Sequence, residues 1–295
     1  MKNDILLIGS LNIDFTAYVD RIPEAGETIS GSSFLMSCGG KGFNQAIAIA
    51  RAGSSIYMLG SIGNDSLGDQ LIEMLNKDEV HSLIKKTDES TGTAVIFVEK
   101  SGQNRITIFH GANYELTFDD VKKAIDYLDF KYICFQLENP IDVVEKGIKY
   151  AKAKGKIVIL NPAPASKLND DVFTYIDIFT PNEKELTFYT NGEKDLKKAS
   201  QMILDKGVAH LVVTLGEKGA IYSNKNDSTL IPTYKVKAID TVAAGDCFNG
   251  YLVSCLSKGM SMIESIKIAN KASSIAVTRI GAAKSIPHFE ELKNI

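Results

Sequence analysis

In "DTVAAGDCFNG" (residues 240–250) a lone acid, Asp246, follows Ala243, Ala244 and Gly245 and leads straight into an apolar run. Phe248, Tyr251, Leu252, Cys255 and Leu256 recur at i, i+3, i+4, i+7 and i+8, which predicts an amphipathic helix over 246–258, closed by Gly259. Small residues at a helix entrance leave backbone N–H groups unpaired at its positive end, a place that suits an anion such as phosphate. An acid there can also serve only as an N-cap.

A second such stretch is "SCGGKGFNQAIAIARAG" (37–53). Gly39, Gly40 and Gly42 allow close backbone approach to a ligand, Lys41 offers a cation, and Asn44 falls in the first turn of a helix over 43–52. A plain glycine turn is the alternative. The stretch is not a P-loop, because Gly rather than Ser or Thr follows Gly-Lys, and it is not GxGxxG. "GSLNIDF" sets Asn12 and Asp14 just past a first strand, where both residue types also suit a turn. "GSIGNDSLGD" (60–69) reads as a structural loop. Glu138 in "FQLENP", and Asn182 and Glu185 in "TPNEKE", end strands, where they could bind hydroxyls or hydrated Mg²⁺ or could cap helices. Thr214, Gly216 and Gly219 lie in a Gly-flanked turn, "TLGEKGA". A capping box, Ser261–Glu264, opens a long helix expected to end near Gly281, with Ser285 in the Gly/Ala loop beyond.

These residues need a scaffold. "DILLIGS", "SIYMLGSIG", "YICFQLE", "KIVILNPAP", "IDIFTPNE" and "HLVVTLG" are short, apolar and rich in β-branched residues, and helical patterns over 43–52, 118–128, 142–154 and 195–206 lie between several of them. The box "TFDD" marks the start of the second. Such alternation predicts an α/β fold, a mostly parallel sheet with helices on both faces and ligands beyond the carboxyl ends of its strands. Residues 12–37 and 92–110 break the pattern with strand alternation and turns, the latter as a hairpin turning at 101–104. Together they predict a small antiparallel sheet that could act as a lid, a dimer surface or both.

Composition narrows the function. Length (295 residues) and 44% hydrophobic content fit a globular chain with ample core. A net charge of −3, from 33 basic and 36 acidic residues, gives no pull toward nucleic acid or anionic membrane. No apolar run reaches the ~18 residues of a membrane span, and the N-terminus lacks the pattern of a secretory signal. Four cysteines (38, 134, 247 and 255) form no CxxC, which argues against structural zinc and disulfides and for the cytoplasm.

"GGKGFNQAIAIARAG…GSIGNDSLG" followed far downstream by "DTVAAGDCFNG" resembles, in order and at the usual separations, the two signatures of the ribokinase-like, or PfkB-type, carbohydrate kinases. "NID", "TPNEKE" and "TLGEKG" extend the resemblance over nearly the whole chain of 295 residues, taken as one domain, and "FQLE", "NPAPA" and "IAVTRIGA" bring it nearest to members acting on D-ribose. The resemblance implies an α/β sandwich with a β-sheet lid that often clasps a second subunit. It implies ATP-dependent phosphorylation of a sugar's primary hydroxyl, with Asp246 as the base and the N–H groups of Ala243, Ala244 and Gly245 as an anion hole. Asn12, Asp14, Gly40, Lys41, Asn44 and Glu138 would hold the sugar. Thr214, Gly216, Gly219 and Gly245 would lie along the nucleotide, Asn270 near its adenine, and Asn182 and Glu185 would place Mg²⁺ through water. Asp240, the Val242, Ala276, Arg279 and Gly281 carbonyls and Ser285 would match a K⁺ loop.

Chemistry agrees with those roles. Phosphoryl transfer asks mainly for positioning and charge stabilisation, which a helix N-terminus and an adjacent carboxylate supply. No His or Ser stands where a covalent phosphoryl carrier would be needed, so direct transfer is expected. Phe43 departs from the small residue usual in the family. It is expected to point into the core; turned to the sugar, it would narrow the pocket. Val242 replaces a commoner Thr, a change a carbonyl ligand tolerates. Kinases for fructose, deoxyribose or nucleosides are the near alternatives; a non-catalytic sugar sensor and an NAD-dependent oxidoreductase are the distant ones.

Overall fold

A computed structural model describes residues 4–101 and 103–294. In chain order the strands are β1 (Ile5–Ile8), β2 (Asn12–Val19), β3 (Ser33–Gly39), β4 (Ile56–Gly63), β5 (His81–Thr87), β6 (Gly92–Glu99), β7 (Asn104–Phe109), β8 (Tyr132–Phe135), β9 (Ile157–Leu160), β10 (Ile178–Phe179), β11 (His210–Thr214), β12 (Ala220–Ser223) and β13 (Ser228–Ile231). The α-helices are α1 (Lys41–Arg51), α2 (Ser66–Lys77), α3 (Phe118–Tyr127), α4 (Ile141–Ala153), α5 (Glu183–Tyr189), α6 (Leu196–Asp205), α7 (Ala244–Ser257) and α8 (Met262–Ala276).

Nine strands form the main sheet in the order β13-β12-β11-β10-β9-β8-β1-β4-β5, parallel from β11 to β5 and antiparallel at the β11-β12-β13 edge. Alternation along β1 shows why both faces carry helices. Ile5 and Leu7 enter one buried cluster with residues of α1, α2, α7 and α8, while Leu6 and Ile8 enter another with residues of α3, α4, α5 and α6. The α/β architecture expected from the alternation is present, and the capping boxes Thr117/Asp120 and Ser261/Glu264 open α3 and α8 as expected.

Three expectations need correction. The small sheet, ordered β3-β2-β6-β7, is mixed rather than antiparallel, because its two central strands, β2 and β6, run parallel. Both leave the carboxyl ends of main-sheet strands, β1 and β5, so they start side by side, Asn12 opposite Gly92, and point the same way. The helix expected over 246–258 begins at Ala244 and is buried from Asp246 to Cys255 rather than amphipathic, because it is sandwiched between α1 and α8. A Cβ on Gly250 would lie 2.4 Å from the Ala48 Cβ and 2.8 Å from the Gln45 carbonyl, so glycine permits that approach. Finally, α8 stops at Ala276, short of Gly281, and the chain turns so that the Val277 carbonyl accepts the N–H groups of Ile239 and Asp240.

Candidate active site

Chain geometry at the carboxyl end of β1 gathers the site. Gly9, after β1, and Gly42, in the first turn of α1, pack back to back: a Cβ on Gly42 would lie 2.5 Å from Gly9 C and Ser10 N. Gly40, at φ +92°, turns β3 into α1, a conformation that side-chain-bearing residues rarely adopt. Glu138, after β8, anchors the junction, its Oε2 accepting from Ser10 Oγ at 2.6 Å and from the Lys41 N–H at 3.1 Å. Asn113 holds the entry to β2 by accepting from Leu11 N and donating to Asn12 Oδ1. On β3, Gly39 makes room for Asp14, whose carboxylate oxygen lies 2.2 Å from where a Cβ would stand.

Charge is concentrated here. Asp14, Glu138, Glu185 and Asp246 all act on the Lys41 ammonium; burial works to discharge it, but the four carboxylates, Asp246 foremost, prevail and hold its pKa above the ordinary value. Asp14 is pushed up to about 7 by burial first, then by the negative charges of Glu138 and Asp246, against the opposing pull of Lys41. Burial also raises Asp246, opposed by Lys41 and by two amide donors. Those donors are Asn44 Nδ2 to Oδ2 at 3.0 Å and Gln45 Nε2 to Oδ1 at 3.1 Å. Asn44 Oδ1 is buried with no hydrogen-bond partner among the described residues, an acceptor suited to a ligand hydroxyl.

On the other side of Asp246 lies a cavity of about 850 Å³, within the range of small-ligand sites. Thr214, Gly216, Gly219, Ala244, Gly245 and Asn270 are among the residues lining it. The first turn of α7 faces it, entered through Ala243 in the left-handed region (φ +58°). The first helical bond runs from Cys247 N to Ala243 O, so the Gly245 and Asp246 amides precede it and point out of the helix start. A Cβ on Gly245 would meet only open space. The Ala244 N–H is aimed at the Thr241 carbonyl, 3.3 Å away, and Ser273 Oγ ties the Ala244 carbonyl to α8.

Comparison with known proteins decides the family. The sequence profile of the pfkB family of carbohydrate kinases matches residues 2–288. Among curated relatives, the ribokinase of Haemophilus influenzae is 37% identical over 99% of this chain and 97% of its own, and the deoxyribokinase of Salmonella typhi is 34% identical over 98% and 97%. Among solved structures, that of Arabidopsis thaliana ribokinase complexed with ribose and ATP superposes with a TM-score of 0.89 at 28% identity, covering 100% of this chain and 98% of that one. The chain belongs to the pfkB family of carbohydrate kinases.

Within this kinase the residues singled out from sequence fall into three groups. Asn44 bonds Asp246, and Asp14, Lys41 and Glu138 act on it electrostatically, from β2, the start of α1 and the end of β8; Asn12 and Gly40 adjoin each other at the entry to this cluster. Thr214, Gly216, Gly219, Gly245 and Asn270 share the cavity; Asn270 spends its amide N–H groups on the Ile231 and Pro232 carbonyls. Asn182 and Glu185 close a reciprocal capping box at α5, both Glu185 oxygens being held by Asn182, and Asn182 bridges to Thr214. Glu185 is raised by burial, against the opposing bond from the Asn182 N–H.

In the C-terminal loop, Asp240 joins two segments, accepting from Val242 N at 3.0 Å and from Gly281 N at 2.9 Å. Ser285 is buried in a short turn, and Arg51 of α1 holds that turn through the Ala283 and Ile286 carbonyls. Phe43 is fully buried in the core, as expected. Sequence reading assigned no role to Ser10, Gln45, Asn113, Gln136 and Asn161, although all but Asn113 stand inside the stretches "GSLNIDF", "GGKGFNQA", "FQLE" and "NPAPA".

Proposed function

We propose that this kinase transfers the γ-phosphoryl group of ATP to the primary hydroxyl of D-ribose, yielding D-ribose 5-phosphate and ADP. The observation that carries the reading is that two consecutive residues serve two places. Gly245 lines the large cavity, while Asp246 is bonded to Asn44 and Gln45 beside the carboxylate–lysine cluster. A nucleotide in the cavity then presents its terminal phosphate to the start of α7, and a sugar held beside Asn44 presents its hydroxyl to Asp246. Asp246 takes the hydroxyl proton as the oxygen bonds to phosphorus and the bond to the β-phosphate oxygen breaks. Backbone donors at the start of α7, the Gly245 amide among them, stabilise the charge on the equatorial oxygens. Asn12, Asp14, Gly40, Lys41, Asn44 and Glu138 orient the sugar; the ribokinase of Haemophilus influenzae, at 37% identity against 34% for the deoxyribokinase of Salmonella typhi, supports ribose as that sugar.

Cations complete the reading. Mg²⁺ accompanies the nucleotide and neutralises its phosphates, with Asn182 and Glu185 acting through water, since their side chains already cap α5. The Asp240 loop contributes only oxygen donors (a carboxylate, the Val242, Ala276, Arg279 and Gly281 carbonyls and the Ser285 hydroxyl), a hard set that fits K⁺. A cation held there would steady the turn that leads into α7. The four-stranded sheet of β2, β3, β6 and β7 acts as the lid over the sugar and excludes water. Its exposed apolar residues, Phe34, Leu35, Met36, Ile106 and Phe109, are those through which we expect a homodimer to form, measurable by sedimentation. Among the described residues no helix is long and apolar enough to cross a membrane, and all four cysteines are unpaired, which favours the cytoplasm.

The test of Asp246 is its replacement by Asn. Turnover will fall by about 10³-fold while nucleotide binding and the unfolding transition persist. Turnover within tenfold of wild type removes Asp246 as the base.

A further inference from the structure

Asp246 is not oriented by its own helix. Thr180, at the end of β10, offers its main-chain carbonyl to Asn161 Nδ2 at 3.0 Å. That bond leaves no freedom: the carbonyl can only accept, so Asn161 must turn its amide nitrogen toward it and its Oδ1 away. Asn161 Oδ1 then accepts from Gln45 Nε2 at 3.1 Å, which forces Gln45 to present its nitrogen on this side, where it also donates to Asp246 Oδ1 at 3.1 Å. Gln136 Nε2 donates to Gln45 Oε1 at 2.8 Å and fixes the far end of the amide. Gln45, Gln136 and Asn161 are all buried, so water does not relax the chain. A second arm leaves the same residue: Thr180 Oγ1 donates to Asn249 Oδ1 at 2.6 Å, and Asn249 Nδ2 donates to the Gly245 carbonyl at 2.9 Å.

We propose that Gln45, polarised through Asn161 by the Thr180 carbonyl, is a positioning residue that pins Oδ1 of Asp246 on the side away from the sugar, leaving Oδ2, which lies beside the sugar-holding Asn44, as the atom that receives the sugar's proton. Thr180 thereby registers the base and the anion-hole turn to one point of the rigid sheet. Gln45 acts on the sugar through Asp246, whose other oxygen is the one bonded to Asn44. The inference rests on Asp246 being the base.

The decisive variant is Gln45→Glu, which keeps the shape and places a carboxyl against Asp246 Oδ1. Two carboxyls sharing one proton hold it to higher pH than either alone. The acid limb of the kcat profile therefore moves to higher pH, activity at pH 7 falls by roughly tenfold or more, and part of it returns on raising the pH. Lys41, Glu138, Asp14 and Glu185 also act electrostatically with Asp246 or with the lysine beside it, and they are the same in both proteins. KM for ribose stays within about threefold, because the residues that orient the sugar are unchanged. A profile superimposable on wild type, or a uniform loss at every pH, overturns the proposal.

Should Gln45→Glu fail to fold, the wild-type protein still decides it. The side-chain amide of Gln45, bonded to two acceptors, will exchange slowly and shift in the ¹⁵N spectrum when Asp246 is changed to Asn; an unmoved resonance overturns the proposal. An active Asp246→Asn protein defeats the base assignment, whereas an inactive Asp246→Asn beside a wild-type-like Gln45→Glu defeats only the positioning role.

Discussion

Changing Asp14 to Asn will make the sugar-free kinase more stable above neutral pH while weakening its hold on sugar. Asp14 titrates at about 7 in the folded chain against an ordinary 3.8, chiefly through burial and secondarily through Glu138 and Asp246. A carboxyl raised on folding binds its proton more tightly in the native state. Native stability is therefore greatest where the group is protonated, and it declines as pH rises from about 4 to about 7. Above that window the full cost of the buried charge is present. A shift of about 3 units at roughly 1.4 kcal/mol each sets a ceiling near 4 kcal/mol. Because Asp14 is only partly buried and Lys41 sits in the same cluster, about 2 kcal/mol is the expected gain for Asn at pH 8.

Urea unfolding of both proteins without sugar, at pH 5 and pH 8, measures this. At pH 5 Asp14 is neutral in the native chain but already ionised on unfolding, so the midpoint of the variant will lie modestly higher; at pH 8 the difference will be at least about twice as large. Ribose titration followed by isothermal calorimetry will show weaker binding to the variant. Equal midpoints at pH 8, or a gain of the same size at both pH values, would refute the reasoning from burial and like charge.

Gly42→Ala puts a Cβ 2.5 Å from the backbone of Gly9 and Ser10, so the variant will lose about 3 kcal/mol in urea unfolding or fail to accumulate as folded protein. Arg51→Ala strands Asp78 and releases the Ala283 and Ile286 carbonyls. It will cost about 3 kcal/mol of stability, and amide exchange over 280–288 will speed up more than over α4. Asp240→Asn keeps the shape of the loop but removes its charge, so the K⁺ concentration for half-maximal activation will rise, while at saturating K⁺ the KM for ribose stays close to wild type.

Six of the nine main-sheet strands, β1, β4, β8, β9, β10 and β11, were visible in the sequence as short apolar runs; β5, β12 and β13 were not. Capping boxes at Thr117 and Ser261 located two helix starts because their signal is local. Helix α2 escaped the sequence pattern, although Asp65 caps it through Gly68 N; the stretch holding Asp65 looks like a glycine loop, and that acid also holds Thr91 from a distant segment. The parallel pairing of β2 and β6 depends on where β1 and β5 end, which no local pattern encodes.

For the site, motif residues such as Asn44 and Asp246 were legible as types in a set order. Glu138, Asn182 and Glu185 showed as either ligands or caps, and the structure gives each a capping or anchoring bond without closing the other role. Gln45, Gln136 and Asn161 stood inside the quoted stretches, but their joint role was not legible because each is one amide on a different element. Only the β8-β9 adjacency, with Gln45 of α1 reaching the ends of both strands, brings them into one chain.

The most direct measurement is ADP formation from ATP and Mg²⁺ with ribose, deoxyribose, fructose or adenosine offered separately, with and without K⁺, and the sugar product identified by ³¹P and ¹³C spectra. The account predicts ribose-dependent turnover, raised by K⁺, with phosphate on O5. Preference for another sugar contradicts the assignment of ribose, and ADP formation that is absent, or equally fast without any sugar, contradicts the kinase mechanism itself.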